Sequence, residues 1–336
     1  MPGHASARVH HLGAQETHTN WNRARPPRLT IDPGDTVIIE TIEASGGEIA
    51  RALADGATAL GDPAVIAAVA ASATPAPDPD PAAAELPGHT LTGPIAITGA
   101  EPGDTLVVRI EDVTVGSWGW TSCNPVGNGL LRHAVPAPTL YIWDLRDPGR
   151  APFSPGISLP LAPFCGVMGV APAAPGPLST LPPRAAGGNL DIRALTAGAT
   201  LELPVQVDGA LFSVGDAHAA QGDGEVCGTA IETDASVRLS FDLRKGEGLP
   251  FPRYLTPGLG ETGGPWFAAT GADTDLWEAA RQALRGVLDY LQSERGLSPA
   301  EAVVLASVCV NLRINQVVNS GVATVSALLP LGIFGG

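Results

Sequence analysis

Short runs of apolar and β-branched residues, separated by turns rich in Gly, Pro and Asp, recur along this chain. Leu29-Thr30-Ile31 leads through Asp32-Pro33-Gly34-Asp35 into Thr36-Val37-Ile38-Ile39-Glu40-Thr41, which predicts a hairpin of strand, turn and strand. Pro94-Ile95-Ala96-Ile97, then Gly99-Ala100-Glu101-Pro102-Gly103-Asp104, then Thr105-Leu106-Val107-Val108-Arg109-Ile110 repeat the arrangement, and residues 195–205 echo it in part. These runs predict the sheets of a β-sandwich or barrel. Pro-Gly-Asp before a strand is ordinary turn chemistry, so the recurrence fits a duplicated unit or a local solution used twice.

The period changes near the C-terminus. Leu276, Ala279, Ala280, Ala283, Leu284, Val287, Leu288 and Leu291 fall at helical spacing within residues 275–295, and Gly296 stops that helix. Ser298-Pro299-Ala300-Glu301 supplies an N-cap, a proline at the first helical position and a glutamate three after the cap, opening a second helix through about Leu312. Residues 67–84, with Pro75-Ala76-Pro77-Asp78-Pro79-Asp80-Pro81, have no apolar period and are expected as a surface loop. Residues 171–188, which carry Ser179, Thr180 and Arg184, form a second Pro/Gly-rich passage placed to line a site. Aromatic residues gather at Trp118-Gly119-Trp120, which serves as core, oligomer contact or pocket wall. The fold class is mainly β with an α+β C-terminal part. It divides into an arm at 1–20, a β-rich unit at 21–170, and a catalytic β-rich segment followed by helices at 171–336.

Composition narrows the function. With 41 Gly, 32 Pro and only 16% charged residues the backbone turns often, which agrees with the β reading. A net charge of −15 and no Lys/Arg cluster argue against nucleic acid as a partner. Cys123, Cys165, Cys227 and Cys309 are widely spaced and form no CxxC, so they are read as reduced thiols in a cytoplasm. The first 20 residues lack the apolar core of an export signal, and residues 322–334 are too short and too broken by Pro330 for a bilayer span. No membrane partner is expected.

The densest polar cluster is Ser213-Val214-Gly215-Asp216-Ala217-His218-Ala219-Ala220-Gln221-Gly222-Asp223-Gly224-Glu225. Its glycines allow tight turns that bring side chains from one loop together. Asp216 and His218 lie two apart, so on a strand both face one side, a spacing used by metal sites and by acid/base pairs alike. Upstream, Gly187-Gly188-Asn189-Leu190-Asp191 ends a close backbone passage in a carboxylate. Downstream, Glu232 stands in an apolar strand, where an acid needs a partner or a function.

Taken in order, Phe164-Cys165-Gly166-Val167-Met168-Gly169, Pro182-Pro183-Arg184, Gly187-Gly188-Asn189-Leu190-Asp191, the 213–225 cluster and Gly228-Thr229-Ala230-Ile231-Glu232 resemble the signature of the acetamidase/formamidase family. Pro33-Gly34-Asp35-Thr36, the acidic stretch from Glu40 to Glu48, and Leu91-Thr92-Gly93-Pro94 agree as well, so the resemblance covers about residues 20–320. Glu43 stands where the pattern has Asp, and Thr90 follows His89 where it has Pro. The resemblance implies a β-dominated homo-oligomer, a dimer or higher, that hydrolyses short amides such as formamide or acetamide, and a divalent metal, zinc or calcium.

On chemical grounds Asp216 and His218 are assigned as ligands with Asp191 as a third. Glu225 is assigned as general base, with Asp223 beside it in the catalytic set and Glu232 and Glu43 as further alternatives. Gln221, Asn189 and His89 are assigned to the substrate. Two competing readings stay open: a thiol mechanism through Cys227, expected instead as inert core in an apolar strand of a chain whose only lysine is Lys245, and a non-enzymatic small-molecule-binding β-sandwich.

Overall fold

The computed structural model describes residues 7–74, 86, 88–257 and 264–335. Two large sheets carry the chain, which is mainly β as the pattern predicts. The first runs, in spatial order, through Val9–Leu12, Thr36–Thr41, Ala235–Arg244, Thr105–Val115, Thr200–Pro204, Arg253–Thr256, Trp266–Asp273, Val322–Pro330 and Asn311–Asn319. The second runs through Gly187–Asn189, Phe164–Gly169, Phe212–His218, Glu232–Thr233, Trp118–Cys123, Thr139–Asp144 and Leu60–Gly61, and Leu91–Ile97 pairs with Phe212–His218 from the side. Each sheet contains strands from both sides of residue 170.

The main core lies between the sheets. Val37, Ile39, Leu106, Val108, Leu239 and Phe241 of the first sheet meet Ile95, Ile97, Met168, Phe212 and Val214 of the second, and the Phe212 and Phe241 rings touch edge to face with centroids 5.2 Å apart. The two Pro-Gly-Asp turns sit at the rim and are not hairpins. Leu29–Ile31 pairs with Leu91–Ile97 in one sheet while Thr36–Thr41 pairs with Ala235–Arg244 in the other, so each turn carries the chain across the sandwich. A carboxylate closes both turns: Asp35 accepts from the Asp32 amide at 3.2 Å, and Asp104 accepts from the Glu101 amide at 2.8 Å.

The chain has four α-helices among the described residues: α1 Glu48–Ala54, α2 Pro63–Ala71, α3 Leu276–Ser293 and α4 Pro299–Cys309. Helix α2 corrects part of the expected loop at 67–84. Asp62 caps it by accepting from the Ala64 and Val65 amides, Pro63 sits in its first turn, and Val65 and Val69 are buried one turn apart; residues 75–85 lie outside the described residues. Helix α3 follows its predicted period, with Ala279, Ala283, Val287 and Leu291 buried against Phe267, Ala269, Val325, Ala327 and Leu329. Helix α4 opens on the predicted capping box of Ser298 and Glu301 but stops at Cys309, short of Leu312. The β-branched stretch that follows pairs with Val322–Pro330 and becomes the edge strand of the first sheet.

Candidate active site

The strand Phe212–His218 lies between Phe164–Gly169 and Leu91–Ile97, fully buried, and delivers Asp216 and His218 to one point. Asp216 leaves extended geometry, with φ 56°, and its Oδ2 lies 3.5 Å from His218 Nε2. Asp191 (φ 48°) and Glu225 (φ 47°) occupy the same left-handed region. Such backbone costs on the order of 1–3 kcal/mol per non-glycine residue and persists only where the surroundings impose it. Half of the six non-glycine residues with positive φ among the described residues are therefore the carboxylates of one cluster.

His218 is fully enclosed. Its Nε2 lies 3.0 Å from Glu232 Oε2, and its Nδ1 lies 4.0 Å from Asp191 Oδ1. Asp191, Asp216 and His218 form one group whose ligand atoms all lie within 4.8 Å of one another; His218, Glu225 and Glu232 form a second. The cluster opens on a cavity of about 190 Å³, lined also by Ser45, His89, Trp120, Asn189, Thr229 and Asn319. A larger cavity, about 410 Å³, lies between α3 and residues 247–253. It contains no histidine and neither of these groups, so the chemistry marks the smaller one.

Four carboxyls packed around one imidazole cannot all carry charge without a counter-ion. Burial, with Asp216's charge adding to it, pushes Asp191 up to about 7. Burial does the same to Glu232, also to about 7, and burial plus the charge of Asp191 raises Glu225 well above the carboxylate range. Burial would raise Asp216 too, but His89 and His218 outweigh it and hold that carboxyl below its usual range. Burial works against the His218 cation, yet Glu232 and Asp216 prevail and lift its pKa well above the ordinary value.

Three buried atoms of the cluster, Asp191 Oδ1, His218 Nε2 and Glu232 Oε2, have no hydrogen-bond partner. Gly166 keeps the space between them open: a Cβ there would stand 2.4 Å from Asp191 Oδ1 and 2.7 Å from both Asp216 Oδ2 and His218 Cε1. Ligand bonds of about 2.0–2.1 Å put neighbouring donors roughly 3.0–3.4 Å apart, close to the His218 contacts with Glu232 and Asp216. The residues present fit a divalent cation.

The other assigned residues divide. Asn189 lines the cavity; its Nδ2 donates to the Leu181 carbonyl at 2.9 Å while its buried Oδ1 has no partner. His89 lines it too, with Nε2 3.9 Å from Asp216 Oδ2, and Thr180 of the Pro/Gly-rich passage holds its backbone amide at 2.7 Å and lies 3.1 Å from Nδ1. Gln221 does not line this cavity and hydrogen-bonds to His218 from behind. Asp223 turns away to Arg313 at 3.3 Å. Glu43 has both oxygens occupied, by Ser45, the Gly47 amide and Trp120 Nε1. Neither Glu43 nor Thr90, the two departures from the family pattern, lines the cavity.

Cys227 sits in a turn, not in the expected apolar strand, and its thiol donates to the Thr229 carbonyl at 3.3 Å. Cys165 is buried, and burial pushes its thiol up to about 12. Asn319 went unnoticed in the sequence. It donates from Nδ2 to Asp191 Oδ2, 128 residues away. Its Asn-Ser-Gly context marks only a turn.

The geometry is that of a buried acidic cluster around one histidine whose donor atoms could hold a divalent cation, and the chain belongs to the acetamidase/formamidase family. The sequence model of the Acetamidase/Formamidase family matches residues 80–175 and 173–336, which makes the protein an amidase. It is 27% identical to a formamidase of Methylophilus methylotrophus, over 95% of this chain and 89% of that protein. It is 30% identical to an acetamidase of Mycolicibacterium smegmatis, over 68% and 66% respectively. The crystal structure of an acetamidase from Bacillus halodurans superimposes with a TM-score of 0.79 at 29% identity, covering 96% of this chain and 98% of that one.

Proposed function

We propose that this amidase hydrolyses a short linear amide, of the formamide or acetamide kind, to carboxylate and ammonia at the His218 cluster. The observation that carries the reading is the set of unpartnered buried atoms on Asp191, His218 and Glu232 around the space left by Gly166. Asp191, Asp216 and His218 would hold a divalent metal ion, which supplies a lowered pKa for water and polarisation of the amide carbonyl, worth several kcal/mol of barrier. One imidazole nitrogen with carboxylate oxygens and no sulfur suits zinc ahead of calcium.

The remaining chemistry belongs to the side chains. Glu225 faces the cavity with its pKa raised, so its carboxylate accepts the proton of the attacking water and returns it to the departing amide nitrogen. Asn189 Oδ1, an acceptor in want of a donor, receives the N–H of the substrate amide. The cavity is smaller than the roughly 300–1,000 Å³ of drug-sized sites, which favours a short acyl group. The same proposal includes a cytoplasmic, homo-oligomeric protein. The cysteines, all free thiols, support the first part; the exposed Val303, Val304 and Val308 of α4, with Leu312 and Ile314 on the edge strand, support the second.

Metal analysis of dialysed protein, run beside an ammonia-release screen over formamide, acetamide, propionamide and urea, tests the reading. Bound divalent metal and ammonia from the first two substrates are expected. A metal-free protein that releases ammonia at full rate would remove the metal from the proposal, and no release from any amide would remove the substrate class.

A further inference from the structure

We propose that Gln221 is a positioning residue that fixes the ring of His218 and the backbone of Asp191 for metal binding, with the edge strand Asn311–Asn319 as its anchor. This rests on the metal reading above. Gln221 Nε2 donates to the Asp191 carbonyl at 3.0 Å and to the Asn315 carbonyl at 3.2 Å. Carbonyls only accept, so both amide hydrogens are spent there, and the atom 3.0 Å from His218 Nδ1 is Gln221 Oε1. An amide oxygen only accepts as well. Nδ1 therefore carries a proton, and Nε2, which faces Asp216 and Glu232, is the nitrogen left to give up its proton and ligate a metal.

The same amide holds Asp191 where its φ is positive. Asn319 takes Asp191 Oδ2 and leaves Oδ1 unpartnered, facing the cluster. The Asn315 carbonyl also receives the Gly224 amide at 3.0 Å, and Gly224 pairs with Gln316, so the loop that carries Glu225 is fastened to the same strand. Gln221, Asn315 and Gln316 are all buried. None of them need touch the substrate. Their effect passes through His218 and Asp191, in the manner by which outer groups orient metal ligands.

The test titrates purified, dialysed protein with Zn²⁺ against a chromophoric chelator and records long-range ¹H–¹⁵N spectra of ¹⁵N-histidine-labelled protein loaded with Zn²⁺. Wild type should show one histidine protonated at Nδ1 and metallated at Nε2. Gln221→Leu, which removes the acceptor and both donors, should weaken Zn²⁺ binding about 10–100-fold and lose that signal, with its circular dichroism unchanged. Gln221→Glu restores the acceptor alone and should recover the Nδ1–H signal with affinity between the two; it also serves if the leucine variant does not fold. Wild-type affinity and spectrum in a folded Gln221→Leu would overturn the proposal, as would loss of the Nδ1–H signal in a folded Gln221→Glu. A wild type that binds no Zn²⁺ would overturn the metal reading first and this inference with it.

Discussion

Replacing Gly166 with alanine adds one methyl group and tests whether the space among the ligands is used. The φ of Gly166 lies outside the left-handed region, so an L side chain is acceptable to the backbone and only the space decides. The new Cβ would stand 2.4 Å from Asp191 Oδ1 and 2.7 Å from Asp216 Oδ2. Restoring ordinary contact requires the Asp191 oxygen to retreat by about 1 Å, several times the ±0.2 Å tolerance of a metal–ligand bond. Overpacking of this kind costs about 1–3 kcal/mol of stability, which a folded domain survives. A misplacement of about 1 Å costs on the order of 10²-fold in rate. The variant should therefore keep its circular dichroism, melt a few degrees lower, lose bound metal on dialysis and release ammonia at least about 10²-fold more slowly. Plasma emission analysis, a melting curve and an ammonia assay on one preparation are sufficient. Wild-type metal content with turnover within a factor of about three would show that nothing occupies the space among Asp191, Asp216 and His218, and the reasoning would fail.

Glu225→Gln should keep its metal and lose about 10²–10⁴ in turnover, the usual effect of removing a general base; near-normal turnover would move the base to Glu232, since Asp223 and Glu43 are engaged elsewhere. Cys227→Ala should retain most of its activity, because the thiol is occupied with Thr229, and loss of turnover with an unchanged melting temperature would favour a covalent mechanism. Asp35 tests the sandwich rim: burial would raise its pKa, but hydrogen bonds from the Arg8 amide, His10, the Asp32 amide and the Arg8 guanidinium hold it below the carboxylate range. A folded-state pKa below the unfolded value of about 3.9 gives stability that is complete above that pH and lost as pH falls through the folded pKa. Asp35→Asn should thus melt lower at pH 7 and show a shallower decline than wild type below about pH 4; parallel curves would refute this.

The pairing of Asp216 with His218 was legible because they lie two apart on a strand, whereas the approach of Asp191, 25 residues upstream of Asp216, is made by the fold. Glu232 was noticed by its apolar surroundings, which demand a partner for an acid. Direction within a loop was not legible. Asp223 and Glu225 are two residues apart in a glycine-rich turn, and only the fold shows that one faces Arg313 and the other the cavity. Gln221 carried the right weight with the wrong expected contact, since an amide suits a substrate and a histidine equally. The end of α4 was hidden in Val308-Cys309-Val310-Asn311-Leu312, an apolar run that either helix or strand accepts. The rim turns looked like hairpins because turn chemistry specifies a reversal of local direction but not which sheet receives the next strand.

The edge strand Asn311–Asn319 pairs with Val322–Pro330, receives the loop of Glu225 at Gly224 and reaches Asp191 through Asn319. On the ribosome, Ser45 emerges first among the cavity-lining polar residues and Asn319 last. At translation speeds of about 5–20 residues per second, roughly 15–55 s separate them. Glu232, the last acid of the cluster, precedes Asn319 by 87 residues, so for roughly 4–17 s of that interval the nascent chain carries the complete set of acids with its fastening not yet made. A ribosome stalled after Glu232 but before Asn311 would hold every assigned ligand without Asn315 to anchor Gln221 or Asn319 to hold Asp191. Amide hydrolysis by such a chain should be negligible, so the appearance of activity reports that translation has passed the final hairpin.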